Sequence, residues 1–253
     1  MIQVSDLVIV TDDGPVRTVR MNRPEKKNAL TVPMYEALAA ALEGAAGAGA
    51  VRCVVMAGAP GAFCAGNDLQ DFLHAAAHAE GLAPPLLRFL QALARAEKPL
   101  VAAVNGIAVG IGTTMLLHCD HVVAASDARF STPFVHLGLV PEAASSLLAP
   151  RRMGHARAFS LLAMGRPLDA AAAQAAGIVN TVVGGSQVED EAMKAAREIA
   201  ALPAEALAAT RRLLRGAPDE AVERIEEEAD LFAIRLASPE ARAAFEAFLA
   251  RKR

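Results

Sequence analysis

Cysteine, aromatic side chains and net charge are all scarce in this chain of 253 residues. Its three cysteines, Cys53, Cys64 and Cys119, are odd in number and follow no motif spacing. A disulfide framework is thereby excluded, and reduced thiols in a cytoplasmic protein are expected. Tryptophan is absent and aromatics make up 4%, so the 54% of hydrophobic residues is mostly Ala, Leu and Val. The 25 basic and 28 acidic residues leave a net charge of −3, which offers no footprint for a nucleic acid. Met1 to Asp6 contain neither a basic n-region nor an apolar h-region, so no signal peptide is expected. A low-complexity tail and an internal repeat are also missing.

Residues 100–117 carry no charge and approach the length of a membrane span. Asn105, Gly106, Gly110, Gly112, Thr113 and Thr114 interrupt that run. A buried strand, a turn and a buried helix are expected there, with no membrane association.

The chain is long enough for one large core with an appendage. Val4 to Val10 and Val16 to Met21 are β-rich and flank Asp12-Asp13-Gly14-Pro15, a hairpin signal. Thr31 is expected to cap a helix running to about Glu43, followed by a small-residue loop from Gly44 to Gly49. Strands are expected at Val51 to Ala57, Leu100 to Val104, His121 to Ala125 and Ile178 to Val183. Helices are expected after Asp68, from Pro84-Pro85 to about Glu97, and from Gly110 to Leu117. Beyond about residue 140 the pattern turns mainly helical, and from Glu189 it is Ala/Glu/Arg/Leu-rich. Alternating strands and helices predict an α/β protein with a mostly parallel sheet. Residues 1–190 form the core and 191–253 a helical C-terminal region in this reading.

Two stretches carry the chemistry: Phe63-Cys64-Ala65-Gly66-Asn67-Asp68-Leu69 and Asn105-Gly106-Ile107-Ala108-Val109-Gly110-Ile111-Gly112-Thr113-Thr114. Each reads as a strand that breaks at glycine and opens a helix. Helix starts leave backbone N–H groups unpaired. Two such starts facing one another would aim two donors at one carbonyl oxygen, which is an oxyanion hole.

These residues resemble the crotonase superfamily, the enoyl-CoA hydratase/isomerase group. Further likeness lies in Asn22-Arg23-Pro24-Glu25-Lys26-Lys27-Asn28-Ala29-Leu30, Lys98 to Asp120, Pro133 to Ser146 and Ser238 to Arg253. The resemblance implies a spiral of ββα turns with C-terminal helices that build homotrimers or dimers of trimers. It implies an acyl-CoA thioester as substrate, with coenzyme A part of that substrate and neither a separate cofactor nor a metal. Carried over by residue, the oxyanion donors are the N–H groups of Asn67 and Ile111. Lys26 and Lys27 approach the CoA phosphates, with Ala29 in the same loop. The Ala65 carbonyl receives the adenine amino group. Gly66, Gly110 and Gly112 let the backbone pass close to the thioester, beside Leu69.

One departure decides the chemistry. Hydratases of the family place two glutamates around a water, and the matching positions here are Thr114 and Phe134. Neither side chain can act as a carboxylate base. Glu142, in Leu139-Val140-Pro141-Glu142-Ala143-Ala144, stands where isomerases of the family often carry Asp or Glu. The reading is therefore a delta(3),delta(2)-enoyl-CoA isomerase with Glu142 as single base. Its alternatives are an enoyl-CoA hydratase or another lyase or hydrolase of this superfamily, and a non-catalytic acyl-CoA binder. A carboxyl among apolar neighbours should also have a raised pKa. The bland reading of Glu142 is an exposed residue near a helix start.

Other residues have plainer readings. Asp68 fits a helix cap. Phe134 fits the acyl pocket or the core. Phe248, with Lys252 and Arg253, resembles the family's terminal residues that contact a neighbour's CoA, or is simply part of an amphipathic end helix. His74 and His78 have helical metal spacing but no third ligand. His118 and His121 fit structural packing. Ser145-Ser146 with His136 lacks the Gly-x-Ser-x-Gly elbow of a nucleophile.

Overall fold

The computed structural model describes residues 2–68, 70–71 and 82–250, with the side chains of 2–5, 248 and 249 also outside the description. It is a mixed α/β fold built on two sheets. The larger runs in the order β1-β2-β3-β4-β5-β7-β10, where β1 is Ile2–Ser5, β2 Val8–Asp13, β3 Val16–Met21, β4 Cys53–Gly58, β5 Leu100–Val104, β7 His121–Ala125 and β10 Thr181–Val183. The first three strands pair antiparallel, and every pairing from β3 to β10 is parallel. The smaller sheet joins β6 (Ile107–Val109), β8 (Arg129–Ser131) and β9 (Leu168–Asp169).

The parallel strands read as continuous apolar runs because they are buried throughout. All of Leu100–Val104 is buried, as is Cys53–Gly58 up to its last residue. The helix Val32–Gly47 packs on β1 to β3 and on the helix Pro84–Arg95, while Val188–Ala201 packs on β4, β5 and β7. Asp120 ties the sheet to the C-terminal helices. Its carboxylate accepts the Leu100 N–H at 2.8 Å and the Arg211 Nε–H at 2.8 Å. Among the described residues, no helix is long and apolar enough to cross a membrane. The uncharged run 100–117 becomes β5, β6, the short helical turn Ile111–Thr114 and all but the last residue of a second, Met115–His118.

Several expected boundaries shift for physical reasons. The run Val4 to Val10 is two strands, because the chain turns at Asp6-Leu7 and folds back with Gln3 opposite Ile9. The first helix continues through Gly44 to Gly47, since burying Ala45 against the core supports the extra turn. Thr31 occupies the N-cap position without capping: its hydroxyl is buried and unpaired. Asp71 Oδ2 instead accepts the Val32 N–H at 3.1 Å. The small sheet was not expected, because strands of two or three residues are too short to show a period of two.

Candidate active site

Two glycine turns meet over one buried carboxyl group. The first follows Cys64, which pairs with Ala108 as an isolated parallel bridge. Val109 N–H donates to the Cys64 carbonyl at 2.9 Å, so the first turn lies directly on β6. Gly66 has φ +92, and a Cβ there would come within 3.0 Å of the Val109 carbonyl oxygen. A side chain at this position would be strained and crowded at once. In the second turn, a Cβ on Gly110 would lie 4.0 Å from Gly66 Cα and 4.0 Å from Phe134 Cε1. The two turns are therefore in backbone contact, with the buried Phe134 ring at their edge.

Asn67 pairs with Leu30 through its neighbours: Gly66 O accepts from Leu30 N–H, and Asp68 N–H donates to Leu30 O, both at 2.8 Å. That register turns the Asn67 N–H the other way. Among the described residues, neither Asn67 N–H nor Ile111 N–H donates a hydrogen bond. The Asn67 side chain is held too, since Tyr35 donates its hydroxyl to Asn67 Oδ1. Tyr35, the chain's single tyrosine, is buried, and desolvation raises its pKa well above the ordinary value, so it remains a neutral donor.

Glu142 is 3% exposed, against the bland reading of a surface residue. Thr114 donates to its Oε1 at 2.5 Å, while Oε2 is buried with no partner among the described residues. Burial is the main cause that pushes the Glu142 carboxyl from 4.5 up to about 8. The Thr114 hydrogen bond opposes this shift and the nearby Glu228 adds to it. Its charge also acts on Tyr35 and on Cys64, the residue that leads into the first turn.

The raised pKa has a consequence for stability. Below about pH 4.5 the group is protonated in both folded and unfolded chains and costs nothing. Between 4.5 and about 8 the unfolded chain releases the proton while the fold retains it, so stability falls as pH rises. Above about 8 the penalty is complete, on the order of a few kcal/mol. Urea unfolding at pH 4 to 9 should show Glu142→Gln gaining stability over the wild type as pH rises. Parallel curves across that range would contradict it.

The remaining sequence-predicted residues scatter around this centre. Lys26 and Lys27 are exposed on a 3-10 turn, and the Lys27 carbonyl accepts Ala65 N–H at 2.9 Å. Half-buried Ala29 gives its carbonyl to Arg23 Nη1 at 3.0 Å. Asp68 accepts Gln70 N–H at 2.9 Å, as a cap does, and pairs with Arg23 at 2.6 Å. Gly112 is buried against Cys64. His118 is buried, with its Nε2 2.7 Å from the Ala143 carbonyl. Ser145 Oγ has no hydrogen-bond partner among the described residues, so no Ser145–His136 pair is assembled. Leu69, His74, His78, Lys252 and Arg253 lie outside the described residues, as does the Phe248 side chain.

Three contributors were not anticipated as site residues. Tyr35 sits on the first helix, Asn28 is fully buried, and Glu228 is 5% exposed on the helix Pro218–Leu236. Asn28 donates through Nδ2 to the carbonyls of Ala59 and Ala62 at 3.1 and 2.7 Å, fixing the loop beside the first turn. Glu228 could have been found from its spacing. It falls on the stripe of Val222, Ile225, Phe232 and Leu236, where an apolar residue is the rule.

Fold and glycine turns together define a protein of the crotonase superfamily. The sequence pattern of the enoyl-CoA hydratase/isomerase family matches residues 12–253, and the chain belongs to that family. It is 37% identical over 255 residues to enoyl-CoA delta isomerase 2 of Rattus norvegicus, covering 99% of this chain and 65% of that protein. The chain thus spans about two thirds of that relative's length. It is 35% identical over 205 residues to a probable enoyl-CoA hydratase of Rhizobium meliloti, covering 80% of this chain and 79% of that one. Among solved structures, Pseudomonas aeruginosa OdaA is similar with a TM-score of 0.91 and 44% identity, over 97% of this chain and 99% of that one.

Proposed function

We propose that the protein is a delta(3),delta(2)-enoyl-CoA isomerase in which Glu142 is the single base. The observation that carries this reading is the free Oε2 of Glu142. Among the described residues the other buried carboxylate is Glu228, and both of its oxygens accept backbone N–H groups. Adding water across a double bond in this family calls on two carboxylates. Moving a double bond needs one. Glu142 takes a proton from C2 of a 3-enoyl thioester, and the electron pair moves into a dienolate. The N–H groups of Asn67 and Ile111 stabilise the thioester oxygen as it gains charge. The same proton then returns at C4, leaving the conjugated 2-enoyl thioester and a regenerated carboxylate.

Coenzyme A belongs to the substrate in this reading, and the steps use no separate cofactor. Lys26 and Lys27 lie exposed beside Ala65, where they could meet its phosphates. A homotrimer built on the C-terminal helices is part of the proposal. Leu213 and Leu214 support it, being 83% and 82% exposed.

The test is to incubate 3-enoyl-CoA with the protein and follow ultraviolet absorbance and product mass. Absorbance from the conjugated product should rise at unchanged mass. A product heavier by one water, formed rapidly from 2-enoyl-CoA, would replace the isomerase reading with a hydratase. Binding without turnover across a panel of acyl chains would leave a non-catalytic binder.

A further inference from the structure

The segment that carries Glu142 is held in a costly shape. Ala143 and Ala144 both lie in the left-handed region, at φ 61 and φ 53. Two successive non-glycine residues there persist only when their surroundings hold them. The surroundings are two buried side chains from distant parts of the chain. Glu228 Oε2 accepts Ala144 N–H at 2.7 Å, and its Oε1 accepts Ser146 N–H at 2.9 Å. His118 Nε2 lies 2.7 Å from the Ala143 carbonyl. Burial pushes His118 down to about 4, so its imidazole is neutral near pH 7, and its Nε2–H donates to that carbonyl. Between them, the Ala143 carbonyl, the Ala144 N–H and the Ser146 N–H are all held by side chains.

We infer that Glu228 and His118 are positioning residues, which fix the left-handed Ala143-Ala144 turn and thereby aim the Glu142 carboxyl at Thr114 and the glycine turns. The inference rests on the reading of Glu142 as the base. Both side chains bond to backbone and not to the Glu142 carboxyl. His118 holds the carbonyl and Glu228 the N–H of the Ala143–Ala144 peptide, and Glu228 also holds Ser146 N–H.

The two partners differ in charge, and that separates position from electrostatics. Glu142 is faced by Thr114 and Tyr35, by Cys64 and by Glu228. Glu228 itself feels Arg224 on its own helix, while Arg152 and Arg215 act on His118. Replacing Glu228 by Gln keeps the shape and one acceptor oxygen, but sets an N–H₂ against a backbone N–H. It also removes a negative charge near Glu142. Replacing His118 by Phe removes the donor to Ala143 and no charge.

The experiment measures kcat and KM against pH for wild type, Glu228→Gln, His118→Phe and Glu223→Gln, an exposed control on the same helix. It is paired with carbon-13 NMR titration of the Glu142 carboxyl in substrate-free protein, assigned by Glu142→Gln. Glu228→Gln should lower kcat roughly ten- to hundredfold, with KM little changed. Its acid limb and the Glu142 resonance should both move to lower pH, because a neighbouring negative charge is gone. His118→Phe should lower kcat while leaving the titration in place, and Glu223→Gln should change neither. Wild-type kcat per folded molecule in both clamp variants would overturn the inference, as would a lower melting temperature with kcat and titration unmoved. Should Glu228→Gln fail to fold, His118→Phe carries the kinetic test alone. If Glu142→Gln keeps wild-type turnover, the base assignment falls. The NMR titration still decides separately whether Glu228 governs Glu142.

Discussion

Glu142→Gln should reduce turnover of a 3-enoyl-CoA by about 100- to 10,000-fold, the usual worth of a positioned general base. The substitution is nearly isosteric and keeps an oxygen for Thr114, so lost activity is lost proton transfer rather than lost packing. Thioester affinity should change little, because the groups proposed to hold CoA and the carbonyl oxygen are untouched. The wild-type pH profile should carry the same signature. In the proposed mechanism the base works as a carboxylate, so kcat/KM should climb with pH through the Glu142 pKa, near about 8 in the free protein, and level off above it. A variant retaining most of its turnover would remove Glu142 from the mechanism.

Gly112→Ala should be nearly as damaging, for a reason unconnected with acid–base chemistry. A Cβ at Gly112 would sit 2.6 Å from the Cys64 carbonyl oxygen and 2.9 Å from Cys64 Cβ. Both positions belong to packed turns, so the backbones must part. Crowding of this kind costs roughly 1–3 kcal/mol of stability. The greater loss is geometric. Cys64 leads into Asn67, and Gly112 follows Ile111, so separating them separates the two proposed oxyanion donors. The expected loss is on the order of 100- to 1000-fold in kcat, comparable to deleting one donor. Gly47→Ala is the control. It ends the first helix, is exposed and would meet nothing within 4 Å. Denaturation midpoints and kcat for both variants decide the matter, and a Gly112→Ala protein with wild-type kcat would show that the turns do not need this contact.

Much of the fold was legible residue by residue. Leu100–Val104 and His121–Ala125 stand where their apolar runs end, and the hairpin closes at Gly14-Pro15 with Asp13 opposite Val16. Buried strands of a parallel sheet announce themselves because both faces are covered. Less legible were features that depend on a partner far along the chain. Gly44 reads locally as a loop residue, yet it lies within a helix because Ala45 is buried. Thr31 reads as a cap, yet Asp71 bonds the Val32 N–H. The small sheet is assembled from Ile107–Val109, Arg129–Ser131 and Leu168–Asp169, none long enough to declare itself.

The candidate site divides the same way. The resemblance to the crotonase superfamily pointed to Glu142 as the acid to watch, where the residues alone read as an exposed acid near a helix start. The sequence by itself determined where the glycine turns fall and that Thr114 and Phe134 bring no carboxylate. Those are matters of residue type and local spacing, which the chain carries in itself. Only the tertiary structure decided that the turns touch, that Glu142 keeps one oxygen free, and that Glu228, as deeply buried, spends both of its own on Ala144 and Ser146. It also decided that Tyr35 holds Asn67. Burial and pairing join residues as distant as 35 and 67, or 144 and 228. A carboxyl group's freedom to act depends on which neighbours desolvate it and which donors reach it, and those neighbours are set by packing across the whole chain.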